Sequence, residues 1–116
     1  MGKRILVVDD EPVILSAIDR ALSKVGYEIT PVRDGGACLD ALSGGDFSLV
    51  IMDLHLPGFS VEELVAGVLA RCPGVKFLYI SGSQAREDVL PFIQKPFRIN
   101  DMRDLVRTII GEPEPN

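Results

Sequence analysis

The stretch from Ser48 to Gly58 constrains this chain more than any other, because Leu49-Val50-Ile51-Met52 runs without a polar residue straight into Asp53. An apolar run with no alternation fits a strand covered on both faces, as in a parallel sheet layered with helices. The turn pair Pro57-Gly58 closes the stretch. Asp53 is thereby expected at the carboxyl end of a buried strand, the edge where open α/β sheets bind ligands.

The remaining segments repeat the pattern. Ile5-Leu6-Val7-Val8 ends in Asp9-Asp10-Glu11, and Pro12 then opens a helix at the position where its missing N–H is harmless. Ile14, Ala17, Ile18, Ala21, Leu22 and Val25 follow three-four spacing up to Gly26, which leaves Val13 and Leu15 off the stripe as surface apolars or part of a docking patch. Tyr27 to Val32 reads as a strand, and Pro31 assigns it to an edge because proline cannot donate to a ladder. Asp34-Gly35-Gly36 reads as a turn before a short helix with Ala37, Cys38, Ala41 and Leu42 on one face.

Beyond Asp53, Ser60 and Glu63 form a capping box for a helix carrying Val61, Leu64, Val65, Val68 and Leu69. Val75 to Ile80 is a further apolar strand, ending at Ser81-Gly82. The segment from Ser83 to Pro91 offers only Val89 and Leu90 as sizeable apolar residues, enough for a helical turn or two at most. Phe92-Ile93-Gln94 is a minimal strand leading to Lys95-Pro96-Phe97, and Asn100 is the expected cap of a last helix with Met102, Leu105, Val106, Ile109 and Ile110 inward. Arg98, Arg103 and Arg107 read as the solvated face of that helix. Strand and helix thus alternate five times, and right-handed crossovers put helices on both sheet faces.

At 116 residues this makes one domain, set at 1–111 with 112–116 as a tail or linker. A net charge of -5 with no Lys/Arg run argues against direct nucleic-acid binding. No apolar segment approaches the roughly 20 residues of a membrane span, and no cleavable leader pattern follows Met1, so a cytoplasmic protein without membrane insertion is expected. Cys38 and Cys72 form no C-x-x-C pair and read as reduced core thiols.

The strand ends deliver Asp9-Asp10, Asp53, Ser81 and Lys95 to a single edge. Neighbouring carboxylates repel one another unless a cation joins them, and a hard divalent ion such as Mg²⁺, or Mn²⁺ in its place, takes oxygen ligands of this kind. Lys95 can then act as a point charge on a phosphoryl oxygen, and the Ser81 hydroxyl can donate to another. That leaves Asp53 as the nucleophile. Taken singly, the acidic pair also suits a helix N-terminus, Ser81-Gly82 a turn, and Lys95 a solvated surface; their joint arrival at strand ends distinguishes them.

In this set of motifs the chain resembles the receiver domains of two-component response regulators, from Val-Val-Asp9-Asp10-Glu11-Pro through Asp53-Leu-His-Leu-Pro57-Gly58 to Ser81-Gly82 and Lys95-Pro96-Phe97. The resemblance implies a flavodoxin-like (βα)5 three-layer sandwich with strand order 2-1-3-4-5. It further implies that Asp9, Asp10, Asp53 and the backbone carbonyl of His55 hold the metal, and that Asp53 takes its phosphoryl group from a histidine kinase or a histidine phosphotransfer protein. Lys95-Pro96 would be a cis peptide. Ser81 and Phe92 would form the conformational switch, although Phe92 equally suits plain core, and the protein would be a self-phosphorylating, slowly dephosphorylating switch rather than a turnover enzyme.

Three features depart from the family pattern. Only fourteen positions separate Ser81 from Lys95, so the fourth helix is shortened or missing, a trait that resembles the receivers of hybrid sensor histidine kinases. Val61 stands where the family often has glycine, and His55 and Ser83 occupy positions that tune phosphoryl lifetime. His55, the sole histidine, is expected as an exposed loop residue contributing its backbone. Competing readings are a receiver-like interaction module independent of phosphorylation, a flavin or nucleotide binder, and a haloacid-dehalogenase-type phosphatase. The last two lack, respectively, a phosphate loop after the first strand and an Asp-x-Asp pair.

Overall fold

A computed structural model describes residues 3–82 and 91–113. Five strands, β1 (Arg4–Val8), β2 (Glu28–Val32), β3 (Leu49–Asp53), β4 (Lys76–Ser81) and β5 (Phe92–Gln94), form one parallel sheet in the order β2-β1-β3-β4-β5. The described helices are α1 (Pro12–Lys24), α2 (Gly35–Leu42), α3 (Val61–Arg71) and α4 (Ile99–Ile110). This is the expected flavodoxin-like sandwich. The expectation of a shortened or missing helix between β4 and β5 falls on residues 83–90, outside the described residues.

Successive strand residues point to opposite faces, and both faces are covered, so β3 is buried from end to end. Leu6, Val8, Val50, Met52 and Tyr79 pack with Cys38, Leu42, Leu64 and Val68 of α2 and α3. Ile5, Val7, Leu49, Ile51, Leu78 and Ile80 pack with Leu15, Ile18, Leu22, Met102 and Val106 of α1 and α4. β2 lies at the edge, and Pro31 opposite Val7 is the residue that keeps it there.

Local chemistry sets most boundaries. Glu63 N–H donates to Ser60 Oγ at 3.1 Å while Ser60 N–H donates to Glu63 Oε1 at 3.3 Å, so the predicted capping box is present. Asp34 accepts from Ala37 N–H at 2.7 Å, which makes it the cap of α2 and puts Gly35 inside the helix rather than in a turn. A Cβ at Gly35 would stand 2.5 Å from the Phe59 ring, so a larger residue there would have to displace that ring. Cys38 and Cys72 are buried free thiols.

Several apolar and capping expectations are corrected. Leu15 is buried in the α1–α4 core, whereas Ala17 and Val25 of the assigned stripe are exposed, so that α1 packs on the sheet through Leu15, Ile18 and Leu22. Val13 stands clear of the core at 79% exposure. Leu69 is also exposed, since Leu64 and Val68 alone reach the core squarely from α3. α4 starts after Arg98, not Asn100; the Asn100 carboxamide instead accepts from Arg103, and Arg103 Nε also reaches the Ala21 carbonyl of α1 at 3.4 Å, which takes it off the purely solvated face. After α4, Tyr27 Oη donates to the Gly111 carbonyl at 2.6 Å and Arg107 pairs with Glu112 at 2.8 Å.

Candidate functional site

Each site residue is delivered by the end of a strand. Val8 and Met52 are partners in the sheet, so Asp9 and Asp53 leave it side by side, and Asp53 itself pairs with Ile80, one residue before Ser81. β5 brings Lys95 to the same edge, where its N–H donates to the Ser81 carbonyl at 2.7 Å. Lys95-Pro96 is cis, as expected.

The charges converge tightly. Asp9, Asp10, Glu11 and Asp53 each offer a carboxylate oxygen within 4.8 Å of the others, Asp9 and Asp53 buried, Asp10 and Glu11 exposed. Lys95 Nζ donates to Glu11 Oε1 at 2.7 Å and to Asp53 Oδ2 at 2.9 Å, and lies 3.0 Å from Asp9 Oδ2. Burial alone would lower the Lys95 pKa, but the hydrogen bonds to Glu11 and Asp53 and the charge of Asp9 outweigh it and hold the ammonium above its ordinary value. The other Asp53 oxygen, Oδ1, accepts from the His55 N–H at 2.8 Å.

Asp9 shows what this cluster lacks. Its Oδ1 accepts from the Glu11 N–H at 2.8 Å, while Oδ2, fully buried, has no hydrogen-bond partner among the described residues; Lys95 is close enough for an ion pair but not aligned to donate. Burial raises the Asp9 pKa and the neighbouring Asp53 charge adds to the rise, against the opposing pull of the Glu11 N–H and Lys95. A buried carboxylate oxygen without a donor, inside a set of hard oxygen ligands, fits a divalent cation such as Mg²⁺.

Ser81 is buried at the end of β4, and Phe92 is half-buried in β5 opposite Tyr79, packed against the α2–α3 core. His55 is exposed as expected, yet its ring does more than the sequence indicated: Nε2 lies 2.9 Å from Ser81 Oγ. Glu11 was likewise not singled out. Its adjacency to Asp10, ahead of a helix-opening proline, was the available signal.

A doubly wound parallel sheet whose carboxyl edge gathers four carboxylates, three of them on one lysine, defines a flavodoxin-like protein with a charged site at its strand ends. The response regulator receiver domain model matches residues 5–107, and the chain belongs to that family. It is similar to the transcriptional regulatory protein TcrA of Mycobacterium tuberculosis, 29% identical over 116 residues that cover 93% of this chain and 46% of TcrA. The chain spans about half the length of some of the curated relatives it matches and about a quarter or less of others. Among solved structures it resembles the receiver domain of the hybrid histidine kinase CckA, with a TM-score of 0.82 and 28% identity, covering 92% of this chain and 98% of that one. It also resembles the response regulator TrrA of Thermotoga maritima in complex with Mg²⁺-BeF, with a TM-score of 0.80 and 29% identity, covering 92% and 98%. Receiver domains are signalling switches of two-component systems rather than conventional enzymes.

Proposed function

We propose that this receiver domain takes a phosphoryl group from a phosphohistidine onto Asp53, in a Mg²⁺-dependent reaction that the domain itself catalyses, and relays a two-component signal by the resulting change of conformation. The observation that carries this reading is the buried Asp53 carboxylate held by Lys95 at 2.9 Å inside the four-carboxylate cluster. An Asp53 oxygen attacks phosphorus as the P–N bond to the partner histidine breaks; the imidazole leaves with the electron pair and takes up a proton. Asp9, Asp10, Asp53 and the His55 carbonyl would hold Mg²⁺, or Mn²⁺, which would screen the cluster and supply Lewis-acid polarisation of the phosphoryl group.

Lys95 supplies a fixed positive charge at the phosphoryl group, and Ser81 supplies a hydroxyl. Slow attack of water on phosphorus then restores the Asp53 carboxylate and releases inorganic phosphate. Phe92, half-buried beside Tyr79, is suited to report the change by packing inward as Ser81 moves. The partner is a histidine kinase or a histidine phosphotransfer protein in the cytoplasm, and TrrA, solved with Mg²⁺-BeF, offers the parallel for the cofactor. Phosphotransfer from a panel of radiolabelled histidine kinases tests the reading: label passes to the wild type and not to Asp53→Asn. Label on Asp53→Asn, or none on the wild type from any donor or from acetyl phosphate, contradicts it.

A further inference from the structure

The His55 ring is unexplained by a role confined to its backbone. It projects from the loop after β3, is exposed to solvent, and nevertheless places Nε2 2.9 Å from the hydroxyl of a serine that is 1% exposed. The same residue donates its backbone N–H to Asp53 Oδ1 at 2.8 Å. His55 is therefore joined through one atom to the proposed acceptor and through another to the proposed hydroxyl donor, across two neighbouring strands, β3 and β4.

We infer that His55 is a positioning residue that orients the Ser81 hydroxyl for the phosphoryl group on Asp53. The chemistry follows from the donor inventory of the two groups. A serine hydroxyl has one proton and two lone pairs, and a neutral imidazole has one N–H and one acceptor nitrogen. When an anionic phosphoryl group stands on Asp53, the Ser81 proton turns to a phosphoryl oxygen and Ser81 Oγ accepts from His55 Nε2–H. A chain of hydrogen bonds then runs from imidazole to hydroxyl to phosphoryl oxygen, each strengthening the next. The Ser81 hydroxyl is in this way a better donor than it would be alone, and the imidazole acts on the phosphoryl group only through it. Mutual orientation is the whole of the effect: no bond of His55 forms or breaks.

This inference rests on Asp53 as the acceptor, and the test separates the two. Beryllofluoride, formed in solution from beryllium and fluoride, serves as the phosphoryl mimic at saturating Mg²⁺, with affinity read by NMR titration of backbone amides. His55→Ala is expected to bind the mimic about fivefold more weakly, the size of one hydrogen bond. In a Ser81→Ala background the same His55 substitution is expected to change nothing, since the cycle isolates the coupling between the two side chains. His55→Gln, which keeps a donor and an acceptor at similar reach, is expected to recover most of the affinity. The His55 side chain is exposed, and unchanged backbone amide spectra away from the site verify that each variant, Ser81→Ala included, is folded. Equal losses with and without Ser81, no loss at all, or tighter binding by His55→Ala each overturn the inference while leaving Asp53 in place. A wild type that fails to respond to beryllofluoride, as Asp53→Asn is expected to fail, removes both.

Discussion

At the amino edge of the sheet, basic groups meet backbone carbonyls or an aromatic face. Lys3 donates to the Ile110 carbonyl at the end of α4, Arg71 donates to the Gly67 carbonyl at the end of α3, and Arg4 lies over the Phe47 ring at 4.3 Å. The carboxyl edge is different: there Asp9, Glu11 and Asp53 face one another around a single ammonium, and Asp9 Oδ2 is left without a donor among the described residues. Helix carbonyls gather at the amino edge of every such fold, so cations there are accounted for by the architecture. Helix N-termini favour anions at the other edge in the same way, but a helix dipole does not account for a buried carboxylate oxygen left without a donor. That contrast separates charges that finish the fold from charges whose arrangement suits a cation.

The sharpest way to break the contrast is to exchange its terms. Lys95→Ala leaves two buried carboxylates without their cation and is expected to cost about 3 kcal/mol in urea unfolding without metal, together with loss of phosphoryl uptake. Added Mg²⁺ is expected to stabilise the wild type by roughly 2.7 kcal/mol at a hundred times its dissociation constant, and Asp9→Asn and Asp10→Asn by much less. A metal-independent unfolding midpoint would remove the cation from the account.

The third expected effect concerns pH. The folded-state pKa of Asp9 is raised, above all by burial, so Asp9 favours the fold only while protonated and opposes it once pH climbs through that value. Asp9→Asn without metal should therefore melt a few degrees higher than the wild type at pH 7, with the two curves converging in acid. A gap that widens in acid would have the wrong sign. At the amino edge the effects should be smallest: Lys3→Ala and Arg71→Ala are expected to stay within about 1 kcal/mol and to leave phosphoryl uptake unchanged.

Much of this was legible in the sequence, and the limits have physical causes. The edge assignment of β2 needed only the missing N–H of Pro31, and the start of α3 only the reciprocal Ser60–Glu63 box. Asp9, Asp53 and Lys95 could be placed together because strand ends in a parallel sheet share one edge. Leu15 was misread because residues 14, 17, 18 and 21 and residues 15, 18 and 22 both satisfy helical spacing; periodicity does not choose between them, and the packing of α1 against the sheet and α4 does. Asn100 was misread because a good capping side chain also serves inside a first turn, here for Arg103. The His55 ring and the Glu11 carboxylate escaped because their partners, Ser81 and Lys95, are 26 and 84 positions away in sequence.

The central claim is that Asp53, among the four clustered carboxylates, is the one that becomes an acyl phosphate. Borohydride reduces an acyl phosphate to an alcohol, so treatment after incubation with acetyl phosphate and Mg²⁺ marks the acceptor, and peptide mass mapping locates it. The account predicts homoserine at position 53 and nowhere else. Reduction mapped to Asp9, Asp10 or Glu11, or no reduced residue at all, would contradict it.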